Sequence, residues 1–439
     1  MEAPRRRICF VSDFFYPNTG GVETHMVNLS QHLLQRGNKV VVLTHRYGNR
    51  VGVRWMKGGL KVYYLPLPVC YQESIYPVPL FLVPILRDIF VREGIETVHA
   101  HHTYSGLAYQ TILIAKTMGL KTILTDHSLF GLVNLDNIVT NKLARALFAD
   151  LDYSIAVSHI VRENMVARSR ACPETVFVIP NAVNTDEFVP CDRPRTDHVR
   201  VVVVSRLKYR KGVDFLLQII PRICSEDKNV SFAIAGEGPG KVHLEQMVEK
   251  SFLQGRVFFE TARTAEEVRS VLNSGDIFLN VSLTEAFCIA IVEAASCGLL
   301  VVATDVGGVS EVLPPHIMMT TEPKSRAILE TLQAAVKKIR AEDRDRMQIH
   351  GEIAEMYSWE AVAERVERVY DLPKREAAAS IYTRLERRCE GFSLSGIVLS
   401  FFLLLEWALL SIFLPSSTSP SSIVAVPVAG TTCTLTDFY

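Results

Sequence analysis

Two glutamates eight positions apart, Glu285 and Glu293, have a spacing that could do chemistry. They stand in Ser282-Leu-Thr-Glu285-Ala-Phe-Cys-Ile-Ala-Ile-Val-Glu293. The strand-like run Asp276-Ile-Phe-Leu-Asn-Val comes before them. Asn280, Ser282 and Thr284 are polar start signals, so a helix is expected from Glu285 or Ala286. Eight residues make about 2.2 turns, which sets the carboxylates about 80° apart around the axis. One would sit at the helix mouth and the other deeper on a similar face. A helix N-terminus offers free N–H groups to an anion. Carboxylates for hydroxyls on either side of an anion site suit a sugar nucleotide. The plain alternative is a charged first turn and a chance second glutamate.

A second segment carries cations. Val201-Val-Val-Val-Ser205-Arg206-Leu207 reads as a buried strand ending in a polar pair, and Tyr209-Arg-Lys211-Gly212 leads into helical periodicity from Val213. Arg206 and Lys211 thus flank one strand-to-helix loop, where open α/β sheets bind their ligands. A guanidinium forks onto two oxygens and an ammonium adds a point charge, which suits a diphosphate. Arg210 reads as solvated. Gly20-Gly21 follows the first strand run and either lets the backbone approach a phosphate or sugar or marks a simple turn.

His127 directly follows the run Thr122–Thr125, while His99, His101 and His102 gather at another strand end. No carboxylate or thiol nearby completes a metal set around that trio, so these histidines read as cleft lining rather than zinc ligands. Two Asp-x-Asp pairs occur, Asp150/Asp152 at a helix-to-strand junction and Asp343/Asp345 on a charged helix. Neither neighbours the glutamate segment. No metal is expected, and side-chain cations are left to neutralise a departing diphosphate.

These residues need a scaffold, and the chain alternates strand and helix signals. Strands are expected at 8–12, 40–44, 62–65, 97–100, 122–125, 153–157 and 176–179, with helices near 22–36, 79–92, 104–118, 136–149 and 159–169. A second series follows. Strands read at 199–205, 231–235, 257–259, 277–280 and 300–303, and helices near 212–225, 241–253, 265–273, 286–297 and 324–341. Short β-branched runs separated by helices imply parallel sheets covered on both faces. The expected organisation is a first Rossmann-like domain over 1–185 and a second over 186–357. A helix over 358–372, capped by Ser358, follows, and then a basic linker over 373–390.

From 391 to 414 an apolar run, broken by serines and Glu406, is long enough to cross a bilayer core of about 30 Å. Lys374, Arg375, Arg384, Arg387 and Arg388 precede it and no Lys or Arg follows. The positive-inside rule then puts the large N-terminal part in the cytoplasm and the tail, 415–439, on the far side. Lys+Arg and Asp+Glu balance at 47 each, so no basic field points to nucleic acid. The nine cysteines lack framework spacing and read as free thiols. The apolar, proline-rich stretch 65–90 reads as core or as a surface for a lipid acceptor.

Ser205-Arg206-Leu207-x3-Lys211-Gly212, Ile179-Pro-Asn181-Ala-Val, Gly236-Glu-Gly238-Pro and Glu285-x7-Glu293 together resemble the retaining glycosyltransferases of the two-domain GT-B fold, over roughly residues 7–371. Ser12-Asp-Phe-Phe-Tyr-Pro17, Gly20-Gly-Val-Glu23, Thr125-Asp-His127-Ser-Leu-Phe-Gly131 and Leu283-Thr-Glu-Ala-Phe-Cys288 resemble the branch that begins glycosylphosphatidylinositol (GPI) anchor synthesis. The resemblance implies an α/β protein with two Rossmann-like domains facing a cleft, plus one C-terminal transmembrane helix. It implies transfer of N-acetylglucosamine from UDP-GlcNAc to phosphatidylinositol, without a metal, inside a multi-subunit complex of the endoplasmic reticulum membrane.

By the same resemblance, Glu285 binds hydroxyls of the transferred sugar, Glu293 the ribose, and His127 contacts that sugar. Arg206 and Lys211 take the diphosphate. Gly20 and Gly21 lie beside the diphosphate or the acceptor, and Ser205, Gly236 and Asn181 complete the substrate-binding set. A sugar-nucleotide epimerase or hydrolase, another membrane-tethered glycosyltransferase and a non-catalytic nucleotide-sugar-binding protein could share this fold. The anchor and the Arg-x4-Lys loop speak against an epimerase or hydrolase, and the four intact site residues speak against a non-catalytic role.

Overall fold

The structure is a computed structural model describing residues 5–18, 20–69, 75, 81–129, 141, 144–145, 147–169, 171–192, 196–262, 264–375, 384, 400–401, 404–405 and 407–410. The first sheet holds β1 (Arg7–Val11), β2 (Lys39–His45), β3 (Gly52–Met56), β4 (Leu60–Leu65), β5 (Thr97–His101), β6 (Lys121–Asp126), β7 (Tyr153–Ala156) and β8 (Val176–Val178). Their order across the sheet is β3-β4-β2-β1-β5-β6-β7-β8. All pairings are parallel except β3 with β4, an antiparallel edge. The helices that cross over are α1 (Gly21–Gln35), α2 (Leu82–Glu93), α3 (Gly106–Thr117) and α4 (His159–Ser169).

The second sheet is wholly parallel in the order β11-β10-β9-β12-β13-β14. It comprises β9 (Val199–Val204), β10 (Val230–Ala235), β11 (Val257–Glu260), β12 (Ile277–Asn280), β13 (Leu300–Thr304) and β14 (Met318–Thr321). Its helices are α5 (Val213–Glu226), α6 (Lys241–Lys250), α7 (Ala265–Asn273), α8 (Ile289–Ser296), α9 (Ser325–Ala341) and α10 (Arg346–Met356). The inner strands are almost continuously buried, as a two-sided sheet requires. α5 buries Leu216, Ile219, Ile220 and Ile223, one stripe at helical spacing.

The last described long helix, α11 (Trp359–Asp371), starts at Ser358, whose hydroxyl accepts from the Ala361 N–H. It returns to the first domain. Trp359, Val362, Val366 and Tyr370 pack with Ile8, Phe10, Met26 and Leu29. Another apolar cluster joins both domains through Leu107, Val157 and Val161 on one side and Phe287, Ile291 and Val309 on the other.

Several elements depart from the sequence expectations. The sequence pattern predicts none of β3, β14 and α10. Asp343 and Asp345 are not on a helix but between α9 and α10, where Asp345 caps α10 by accepting from the Met347 and Gln348 N–H groups. Asp150 pairs with the buried Arg384 at 2.9 Å, and Asp152 pairs with Lys116 at 2.8 Å while accepting from Thr122 N–H. These aspartates tie the chain after α11 to the first domain, and Arg384 is buried rather than part of a solvated basic linker. No described helix is long and apolar enough to cross a membrane. Most of 391–414, including Glu406, and all of 415–439 lie outside the described residues.

Candidate active site at the interdomain cleft

In the second sheet β9 has β10 on one side and β12 on the other, so its connections run in opposite directions from that point. Such switch points open a crevice at the strands' carboxyl ends. Arg206 and Lys211 follow β9, and Ser282 and Glu285 follow β12. The two loops meet: Leu283 N–H donates to the Arg210 carbonyl at 2.9 Å. The Lys211 ammonium pairs with Glu285 Oε1, which also accepts from Ser282 Oγ at 2.7 Å. Burial depresses the Lys211 pKa, but the Glu285 charge and hydrogen bond outweigh it and the ammonium ends above its ordinary value. Arg206 is exposed, has no carboxylate partner among the described residues, and opposes the charge on Lys211.

Glu285 does not begin a helix. α8 starts at Ile289, and its N-cap Cys288 is left-handed at φ 70°. The cause lies in the backbone partners of the intervening turn. The Glu285 carbonyl accepts from Gly308 N–H at 3.0 Å, and the Ala286 carbonyl accepts from Ser158 Oγ at 2.8 Å. Those contacts hold Glu285 in a loop before the helix, so the expected 80° relation to Glu293 does not apply. Glu293 is on α8, where burial, helped by the nearby Glu187 carboxylate, pushes it up to about 7. Burial also raises the Cys288 thiol, which leaves it protonated and a poor nucleophile.

Ser205 and Gly236 meet through their backbones. Ser205 N–H donates to Ala235 at 3.1 Å, and Gly236, at φ 149°, would set a Cβ 1.9 Å from the Ser205 carbonyl. Only glycine lets the two loops approach this closely. Across the cleft, Gly20 caps α1 in an extended conformation and Gly21 opens the helix. A Cβ on Gly21 would lie 3.6 Å from Ile289 Cδ1. The first residues of α1 and α8 therefore lie close together from opposite domains. Helix N-termini favour a bound anion.

His127 follows β6, and two residues on, Leu129 approaches the second domain. A Cβ on Gly307 would sit 2.5 Å from Leu129 Cδ1 and 2.0 Å from the Glu285 carbonyl. The His127 loop and the Glu285 turn are thus neighbours. Burial, with His25, His102 and His99 around it, holds the His127 imidazole well below its ordinary pKa and neutral. Asn181 is not part of the Arg206–Lys211–Glu285 group; it is buried beside His25, one turn into α1. No sequence signal marks His25, because nothing local couples it to residues a hundred positions away. The carboxylate of Asp126, the residue before His127, is paired with the buried Arg168.

Comparison with known proteins completes the picture. The family model "PIGA (GPI anchor biosynthesis)" matches residues 45–134, and "Glycosyl transferases group 1" matches residues 192–352. Three curated relatives are named as subunits of phosphatidylinositol N-acetylglucosaminyltransferase. The one from Homo sapiens is 48% identical over 87% of this chain and 79% of its own length. The one from Arabidopsis thaliana is 46% identical over 94% and 93%. The gpi3 subunit of Schizosaccharomyces pombe is 47% identical over 82% and 79%. Among solved structures, sucrose-phosphate synthase from Thermosynechococcus elongatus superposes with TM-score 0.68 at 18% identity, covering 83% of this chain and 98% of that one. Anabaena HepE, solved with UDP and glucose, gives 0.66 at 17%, covering 84% and 100%. These two share the GT-B fold. With near one-half identity to curated relatives along most of its length, the chain belongs to the PIGA and gpi3 family of phosphatidylinositol N-acetylglucosaminyltransferases, glycosyltransferases on the GT-B fold.

Proposed function

We propose that this chain transfers N-acetylglucosamine from UDP-GlcNAc to phosphatidylinositol with retention at the anomeric carbon, the first step of GPI-anchor synthesis. The observation that carries the reading is Arg206, without a carboxylate partner among the described residues, beside a Lys211–Glu285 pair at the sheet's switch point, with the first residues of α1 and α8 close together. A sugar diphosphate supplies what that arrangement lacks. Its phosphates meet Arg206 and Lys211, and Glu285, drawn off Lys211, accepts from hydroxyls of the sugar. Glu293 holds the ribose and His127 bears on the sugar from the first domain. The Gly20-Gly21 backbone, Ser205 and the Gly236 loop shape the floor.

The bond from the anomeric carbon to the β-phosphate oxygen breaks, leaving charge on UDP that the two cations stabilise without a divalent metal at the diphosphate. The acceptor hydroxyl forms the new bond on the same face, and its proton passes to the departing phosphate oxygen. The span 391–414 anchors the protein in the endoplasmic reticulum membrane with the two domains cytoplasmic, among partner subunits. The apolar stretch 65–90, only partly among the described residues, is the surface nearest a lipid acceptor.

The test is a microsomal assay with labelled UDP-GlcNAc and phosphatidylinositol, read by lipid chromatography. Label in an N-acetylglucosaminyl lipid that vanishes with Arg206→Ala supports the reading. Free N-acetylglucosamine or an epimerised nucleotide as the sole product overturns it.

A further inference from the structure

Five histidines crowd the first domain behind the cleft, and their hydrogen bonds sort them. His99 spends both nitrogens, Nδ1 on Tyr370 Oη at 2.7 Å and Nε2 on Thr125 Oγ1 at 2.6 Å. His102 does likewise, Nε2 against Ser128 Oγ at 2.8 Å and Nδ1 accepting from Tyr104 N–H at 3.1 Å. The other three are not so engaged. Nε2 of His101 is buried without a hydrogen-bond partner among the described residues, and the His25 ring nitrogens meet no polar group at full hydrogen-bond geometry beyond a loose contact with the Asn181 side chain. These three converge: a ring nitrogen from each of His25, His101 and His127 lies within 4.8 Å of the others, and His101 Nδ1 stands 3.4 Å from His127 Nε2.

Buried polar groups without partners are rare and costly, so a cluster that leaves nitrogens of His25 and His101 in that state needs an explanation. Hydrogen bonding among themselves does not supply it, since 3.4 Å is long for a ring-nitrogen pair. A shared cation, held by His101 Nδ1, His127 Nε2 and a His25 nitrogen, accounts for the His25 ring and for the long pair. Two nitrogens each about 2.0–2.1 Å from a tetrahedral zinc lie about 3.4 Å apart, the separation of His101 and His127 here. Burial keeps all three rings neutral, with His25 lowered to about 4, so each retains a lone pair to donate. No carboxylate belongs to the group, which disfavours the oxygen-seeking Mg²⁺, Ca²⁺ and Mn²⁺ and favours a nitrogen-seeking ion. The Asn181 side chain lies beside His25, and its Oδ1 is likewise buried without a partner among the described residues.

We propose that His25, His101 and His127 form a three-histidine zinc site on the first-domain side of the cleft, with the fourth position left to the Asn181 Oδ1 or water. The ion would fix the His127 ring, linking α1, β5 and β6 where they border the cleft. Arg206 and Lys211 are not among its ligands, and it does not neutralise the diphosphate. The inference rests on the nitrogen geometry and not on the donor reading.

The test is metal binding by the full chain in detergent. Plasma mass spectrometry should find about one zinc per chain. After stripping with a chelator, Co²⁺ should restore the strong visible bands of a tetrahedral nitrogen site at about one equivalent. His25→Ala and His101→Gln should each weaken Co²⁺ binding at least tenfold. Wild-type protein with neither stoichiometric zinc nor the Co²⁺ bands overturns the proposal, even if a variant fails to fold. Undiminished binding in both folded variants overturns it too. Metal content is read without turnover, so a zinc-loaded protein that transfers no sugar would sink the proposed function alone.

Discussion

At the scale of single residues, the site is built on competition for Glu285. Its carboxylate pairs with Lys211 and accepts from Ser282, while Arg206 is exposed. Removing a donor to a developing charge costs about 2.7–4 kcal/mol of barrier. Arg206→Ala is therefore expected to cut turnover at least a hundredfold with little change in melting temperature, since the guanidinium has no carboxylate to lose among the described residues. Near-normal turnover would remove Arg206 from the site. Lys211→Ala should also slow transfer but lower stability as well, because it leaves a nearly buried Glu285 without its cation. Glu285→Gln should slow transfer more than it weakens UDP binding, and Glu293→Gln the reverse. Calorimetry with UDP beside steady-state kinetics separates the pair, and equal loss of UDP affinity in both would sink the division of labour.

At the scale of elements, what was legible in the sequence is what local pattern encodes. A β-branched run followed by Ser205-Arg206, and another followed by Ser282 and Glu285, could be placed at strand ends because burial of a parallel strand writes an unbroken apolar run. β3 was not legible. It is an edge strand with only partial burial and carries Arg54 and Trp55, so no apolar run announces it. The turn before α8 defeated the helix signals because its backbone bonds go to Gly308 and Ser158, partners distant in sequence. His25 escaped for the same reason, while His101 and His127 were legible only as separate strand-end residues and not as its neighbours.

The aspartate pairs show long-range structure resolving an ambiguity that spacing could not. Asp150→Ala strands the buried Arg384 and should cost about 3–5 kcal/mol of unfolding free energy. Asp345→Ala removes a helix cap and should cost about 1 kcal/mol. Denaturant melts would measure both. A smaller loss for Asp150→Ala than for Asp345→Ala would contradict the structural role assigned to the first pair.

At the scale of the whole molecule, buried titratable groups set the response to pH, and their signs oppose. His25 is held to about 4 and His99 to about 3, and His101, His102 and His127 are also lowered, all chiefly by burial. Each is neutral when folded but takes a proton when unfolded below about 6.5. Their contribution to stability is present above about pH 6.5 and is lost as pH falls toward their folded values. Asp13 and Glu293 are both raised to about 7 by burial, so the folded chain keeps protons that the unfolded chain releases above about 4. They favour the folded state at low pH and weaken it as pH rises through about 7. Near pH 5.5 both sets act, each proton tilting stability by about 1.4 kcal/mol per pH unit. The four strongly lowered histidines, His25, His99, His101 and His127, outnumber two carboxyls, so the net slope is positive. The melting temperature of chelator-stripped protein is expected to fall from about pH 6.5 to about 5. Glu293→Gln removes one opposing group and should steepen that fall. A flat profile over this window would show that the buried histidines are not held neutral in the folded protein, and a shallower one in Glu293→Gln would show that Glu293 does not keep its proton there.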